Sequence, residues 1–145
     1  MKETIIFLAD DDVDDRSFFC EAVEEIDTSI KCYAVKNGAG ILDLLAQRRM
    51  QPHIIFLDIN MPVMNGWDCL QSLKNDPKYD SIPVVLYSTT SQELHVQRAL
   101  RMGALCLLTK PDNFKRIKEI LIEMISGLPN DILERVKSFP EVKWC

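Results

Sequence analysis

Apolar residues along this chain fall into short blocks of two kinds. Ile5–Ala9, His53–Leu57, Ile82–Tyr87 and Ala104–Leu108 are near-continuous apolar runs, the pattern of parallel strands buried on both faces. Lys31–Val35 is a shorter strand closed by the turn residues Asn37-Gly38. Between these runs the apolar positions recur at helical spacing. Asp14–Ile26 carries Phe18, Phe19, Ala22, Val23 and Ile26 on one side, and Gly40–Arg49 carries Ile41, Leu44 and Leu45. Met64–Lys74 is a third helix and Gln92–Met102 a more polar fourth, stopped by Gly103. Phe114–Ile125 is the last long one, with Phe114, Ile117, Leu121, Met124 and Ile125 facing in. Five strands alternating with five helices predict an α/β fold: a doubly wound, five-stranded parallel sheet with helices on both faces, because each right-handed crossover covers one side. Leu128-Pro129-Asn130 breaks the last helix. The chain therefore divides into a domain over residues 1–127 and a tail over 128–145. In the tail Ile132, Leu133, Val136 and Phe139 recur at helical spacing and predict one more short amphipathic turn. That stripe has two readings: it caps the domain's own core, or it forms part of a dimer or partner interface.

Composition narrows the frame without changing it. At 145 residues, 47% hydrophobic and 27% charged, the chain has the size and balance of one globular domain. A net charge of −5 argues against a nucleic-acid-coating surface. There is no run of eighteen apolar residues and no signal-peptide pattern, so no membrane partner is expected and the expected location is cytoplasmic. The five cysteines form no CxxC pair, and four of them lie within apolar segments, where they read as small buried residues. The histidines, His53 and His95, lack metal-ligand spacing.

The charge that needs explaining lies in Phe7–Asp15, "FLADDDVDD". Five of the six residues from Asp10 to Asp15 are aspartates, directly after a buried run. Two unit charges about 5 Å apart repel by about 3 kcal/mol at an effective dielectric of 20. Asp12, Asp14 and Asp15 suit the start of a helix. Asp10 and Asp11 lie further back, at the strand's carboxyl end, the edge at which open α/β sheets bind ligands. The third strand ends in Asp58, the fourth in Ser88 and the fifth in Lys110, all at that same edge. Three carboxylates, a hydroxyl and an ammonium thus converge on one crevice. Clustered carboxylates make a hard oxygen site suited to Mg²⁺.

These residues resemble the receiver domain of response regulators, the CheY-like family. The resemblance rests on "FLADDD" at the first strand, "IIFLDINMPVMNGWDCLQSLK" around Asp58, "IPVVLYST" at the fourth strand and "GALCLLTKP" at the fifth, and spans roughly residues 3–126. It implies the flavodoxin-like strand order 2-1-3-4-5. It implies a stand-alone response regulator of a two-component phosphorelay, not an output enzyme. Asp58 would be the phospho-acceptor, taking the group from a sensor histidine kinase or histidine phosphotransfer protein and signalling to a downstream protein. Asp11, Asp58 and the main-chain carbonyl of Asn60 would hold Mg²⁺, with Asp10 acting through a water. Ser88 would donate to the phosphoryl group, Lys110 would pair with it, and a cis Lys110-Pro111 bond would aim the lysine. Because Asp10, Asp11 and Asp12 are consecutive, two frames fit. The pair directly after the apolar run is taken, with Asp11 and Asp12 as the alternative.

One departure stands out. The family carries an aromatic residue three positions before the lysine, and Leu107 is there instead. Tyr87, beside Ser88, is a substitute or simple packing. Rival chemistries fit less well. Asp10, Asp12, Asp14 and Glu21 match a calcium loop, but Asp15 stands where glycine is needed. Asn37-Gly38-Ala39-Gly40 lacks the third glycine of a nucleotide loop. An aspartyl-nucleophile phosphohydrolase resembling the haloacid dehalogenases needs a second aspartate where Asn60 stands. A non-phosphorylated interaction module of the same fold is the remaining alternative.

Overall fold

The computed structural model describes residues 3–47 and 51–145. The elements, in chain order, are β1 (Thr4–Ala9), α1 (Val13–Ile26), β2 (Ile30–Val35), α2 (Gly38–Gln47), β3 (Ile54–Leu57), α3 (Gly66–Lys74), β4 (Val84–Ser88), α4 (Glu93–Arg101), β5 (Cys106–Thr109), α5 (Phe114–Ser126), α6 (Ile132–Val136) and β6 (Val142–Lys143). The predicted end of the second helix, Arg48-Arg49, lies outside the described residues. One sheet runs in the order β2-β1-β3-β4-β5-β6, with its first five strands parallel. The sixth strand was not foreseen. It pairs antiparallel with β5, Leu107 facing Lys143 and Leu108 facing Val142. Two residues are too few to show a period of two, so the sequence carries no sign of it.

The continuous apolar runs are explained by two cores, one on each face of the sheet. Along β1, Ile5, Phe7 and Ala9 enter one core while Ile6 and Leu8 enter the other. Strands β3 and β4 alternate likewise: Ile55, Leu57, Val84 and Leu86 face one way, and Ile54, Phe56, Val85 and Tyr87 the other. The first core is closed by α2, α3 and α4 through Ile41, Trp67, Leu70, Leu73, Val96 and Ala99. The second is closed by α1 and α5, and also by the tail, whose Ile132, Val136 and Val142 are at most 4% exposed. Leu133 and Phe139 pack against the same core. Glu141 fastens the tail to α5 by accepting from Arg116 Nε at 2.6 Å, and the Arg116 guanidinium lies over the Phe139 ring.

Helix starts follow local chemistry. The Asp12 carboxylate accepts from the N–H groups of Asp14 (2.8 Å) and Asp15 (3.0 Å), capping α1. Asn65 and Asn113 cap α3 and α5 in the same way. Gly103, at φ +98°, ends α4 in the left-handed conformation that glycine adopts without strain. Two expectations are corrected here. The Lys110-Pro111 bond is trans, and the cis bond among the described residues is Leu128-Pro129. A trans bond suffices to aim the lysine, because its ammonium already lies among the carboxylates. Of the four cysteines in apolar segments that were expected to be buried, Cys69 and Cys106 are, whereas Cys20 and Cys32 are half-buried; the fifth, Cys145, is exposed.

Candidate functional site

The site is built by register. Ala9 on β1 faces Leu57 on β3, so the next residues, Asp10 and Asp58, leave the sheet side by side. Asp58 N–H donates to Ala9 C=O at 2.9 Å and Asp10 N–H to Val35 C=O at 3.0 Å, which ties both strand ends to the sheet. On the other side Ser88 faces Thr109, and Lys110 N–H donates to Ser88 C=O at 2.8 Å. The glycine of the Asp58 motif has a steric cause. Gly66 N–H donates to Ile59 C=O at 2.8 Å. A Cβ on Gly66 would stand 2.2 Å from the Asp58 carbonyl oxygen, so no larger residue lets the loop close.

The structure brings Asp10, Asp11 and Asp58 together: one carboxylate oxygen from each lies within 4.8 Å of the others. Asp10 is fully buried, Asp58 half-buried and Asp11 exposed. Asp12 is used as the helix cap. Lys110 Nζ stands 2.7 Å from Asp10 Oδ2, 2.9 Å from Asp15 Oδ2 and 3.2 Å from Asp58 Oδ2. It is the positive charge that the opening aspartate block requires. Burial raises the Asp58 carboxyl to about 6; the Lys110 charge opposes the rise and the Asp10 charge adds to it. Burial alone would lower the Lys110 ammonium, but its bonds to Asp10 and Asp15 and the charge of Asp58 reverse the sign and raise it. The second Asp58 oxygen, Oδ1, accepts from Ile59 N–H at 2.7 Å, which fixes the carboxylate plane.

Ser88 is 4% exposed, and its Oγ accepts from Thr90 N–H at 3.3 Å. Asn60 is exposed in the loop that follows Asp58. Two contributors went unread in the sequence. Asp15 holds Lys110 although its place in the first turn of α1 was explained by the helix end alone. Arg16 Nη1 donates to the Asp10 carbonyl at 2.8 Å and pins the acid's backbone. Their only sequence signal is position: the first turn of a helix that starts at the ligand edge of the sheet faces that edge. Leu107 is fully buried in the core under α4. Tyr87 is packed in the opposite core, edge-on to Phe19 and Phe56, and Lys110 Nζ lies 5.3 Å from its ring centroid. His53 accepts from Ile5 N–H through Nδ1 at 3.0 Å, a structural use far from the acids.

A parallel sheet in this order, with an acid cluster and a lysine at its carboxyl edge, is the arrangement of the receiver class of doubly wound folds. The chain belongs to the response regulator receiver domain family, whose pattern it matches over residues 6–122. It is 27% identical to response regulator Rcp1 of Synechocystis over 137 residues, covering 91% of this chain and 90% of that protein. It is 32% identical to a protein-glutamate methylesterase/protein-glutamine glutaminase of Clostridium acetobutylicum, covering 86% of this chain. The chain spans about a third of the length of the methylesterase relatives it matches. Among solved structures, the phosphorylated cyanobacterial phytochrome response regulator RcpA superposes with a TM-score of 0.78 at 26% identity, covering 86% of this chain and 93% of that one. The Mn²⁺-bound form of Rcp1 superposes at 0.72 with 25% identity and the same coverage. Receiver domains bind a divalent metal in an acidic pocket, and this chain carries such an aspartate cluster. No helix among the described residues is long and apolar enough to cross a membrane.

Proposed function

We propose that this protein accepts a phosphoryl group on Asp58 from a histidine kinase or histidine phosphotransfer protein, with Mg²⁺, and passes the signal on by a change of shape that a downstream protein reads. The receiver comprises residues 1–127, and the tail 128–145 braces it. The observation that carries this reading is the gathering of Asp10, Asp11 and Asp58 within 4.8 Å, with Lys110 Nζ 3.2 Å from Asp58. Those donors fit a hard dication: all are oxygen, Asp11 and Asn60 are open to solvent, and three acids share one lysine. Asp11, Asp58 and the Asn60 carbonyl would hold Mg²⁺, with Asp10 supporting from behind. The ion supplies neutralisation of the phosphoryl oxygens during transfer.

The chain's own residues supply the rest. Asp58 is held by Ile59 through Oδ1, so Oδ2, which Lys110 contacts at 3.2 Å, is the oxygen set to attack phosphorus. The new bond is an acyl phosphate, and the donor imidazole leaves with the electron pair of the broken P–N bond. Lys110 is already within hydrogen-bonding reach of Asp58, so it can turn from the acids to the phosphoryl oxygens as their charge arrives. Ser88, buried one strand away, offers its hydroxyl to the same group. Such charge-assisted bonds are worth about 1.5–3 kcal/mol each. Two or three of them match the roughly 5.5 kcal/mol needed to move a population from 1:99 to 99:1. The cytoplasm is the location proposed with this reading. The test is mass spectrometry after incubation with a small acyl-phosphate donor. With Mg²⁺ the intact mass rises by about 80 Da, one phosphoryl group; Asp58→Asn abolishes the gain. Labelling that survives in the variant, or that needs no divalent metal, overturns the reading.

A further inference from the structure

Between α1 and the edge strand β2, two thiols meet. Cys20, on α1, and Cys32, on the edge strand β2, are twelve residues apart in sequence, and their sulfurs are 3.5 Å apart. Both are half-buried. Cys32 lines a surface cavity of about 420 Å³ whose other walls include Glu24, Asp27, Lys31 and Tyr33, and Cys20 beside it is partly exposed, so the pair sits next to open surface. A disulfide needs about 2.05 Å between sulfurs, and the remaining approach of roughly 1.5 Å is within the play of two side chains. Strand β2 has a neighbour on one side only, in β1, which leaves it room to give. Burial pushes the Cys69 and Cys106 thiols up to about 12, and the hydrogen bond to Cys20 together with burial raises Cys32 as well, so Cys20 is the sulfur of lowered pKa.

We propose that Cys20 and Cys32 are a peroxide-sensitive dithiol that closes to an intramolecular disulfide, tying the middle of α1 to β2. The two sulfurs have different parts. The Cys32 thiol hydrogen-bonds Cys20 and lowers its pKa, and Arg16 lowers it further, while burial and Glu24 oppose this. Cys20 is therefore the sulfur that loses its proton first. Its thiolate attacks a hydroperoxide, the O–O bond breaks, Cys20 becomes a sulfenic acid, and the displaced oxygen takes a proton from water. The Cys32 sulfur then attacks the Cys20 sulfur, and the sulfenic oxygen leaves as water with the Cys32 proton. Two thiols and one hydroperoxide give one disulfide, one alcohol or water, and one further water. The peroxide takes the two electrons. A reversible bond of this kind suits a compartment where lasting disulfides are rare.

The probe is hydrogen peroxide at a few equivalents, added to the full chain carrying Cys145→Ser, so that the exposed tail thiol cannot cross-link molecules. Expected is a loss of about 2 Da, two hydrogens, with the Cys20 and Cys32 peptides joined in a digest and separated again by dithiothreitol. With Cys32→Ser added, a sulfenic acid accumulates at Cys20 and is trapped by dimedone. With Cys20→Ser added, neither product forms. The proposal is overturned if both thiols remain alkylatable after peroxide, if oxygen is gained with no linkage, or if Cys32 links to another cysteine. None of these readouts involves Asp58.

Discussion

Two ion-paired regions of this molecule use similar groups to opposite ends. At the carboxyl edge of the sheet, Lys110 is shared by Asp10, Asp15 and Asp58, and the Lys110 side chain is 10% exposed. At the tail, Arg116 is shared by Glu141 and Glu119 nearer the solvent, its side chain 33% exposed. In water such a pair is screened and contributes little. In the crevice Asp10, Asp58 and Lys110 have given up most of their hydration, and removing one partner leaves the others costly. The tail pairs are a fastening. The crevice is a set of acids held together against their repulsion, which is the state a metal ion and a phosphoryl group can relieve.

The largest effect tests this directly. Lys110→Met removes the shared cation from three carboxylates and lowers metal-free stability by about 3 kcal/mol, the cost of breaking a buried pair. Millimolar Mg²⁺ recovers much of that loss. Urea unfolding with and without Mg²⁺ measures both, and an unchanged midpoint would erase the contrast between the two regions.

Asp58→Asn acts in the opposite direction. The carboxyl is raised from 3.8 to about 6 in the folded protein, so the native state holds its proton where the unfolded chain has lost it. Stability from that proton is full below about 4 and is lost as pH rises through about 6. At pH 7 the asparagine variant is therefore more stable than the parent by up to about 3 kcal/mol, two pKa units at 1.36 each. The gap closes between pH 6 and pH 4. A gap that widens on acidification would mean that Lys110 outweighs burial at this carboxyl. Asp11→Asn separates metal binding from strain: Asp11 is exposed, so its removal changes stability by only about 0.5 kcal/mol or less, yet it weakens Mg²⁺ binding at least tenfold in a titration. Smallest of all is Glu141→Gln. It breaks the tail's half-buried pair, and the thermal midpoint should move least of the four, with labelling of Asp58 intact.

How much of this could be read from the chain follows the same division. The buried strands were legible because a strand covered on both faces is apolar throughout, and Ile5–Ala9 shows this without alignment. Asp10, Asp11, Asp58, Ser88 and Lys110 were legible as a group because parallel strands deliver their last residues to one edge. The structure sets Asp12 apart as a cap through its bonds to Asp14 and Asp15, which three identical letters cannot show. Asp15 was hidden behind its own good explanation as a helix-start acid. Strand β6 and the Cys20–Cys32 contact were invisible for another reason. Each joins segments through geometry that no local period records, and two residues or two sulfurs carry too little pattern.

The short β6 has a consequence out of proportion to its length. With Thr109 N–H donating to Glu141 C=O at 2.9 Å and Leu107 and Leu108 paired across to Lys143 and Val142, the outer row of β5 is taken up by the chain itself. An incoming strand from another molecule finds on that side only the two-residue β6 to extend, and on the other side it meets β2, where Lys31, and Lys36 just past the strand's end, stand exposed. The tail thus serves as a stopper against edge-to-edge stacking, a protection from aggregation that helices packed on the two faces could not provide.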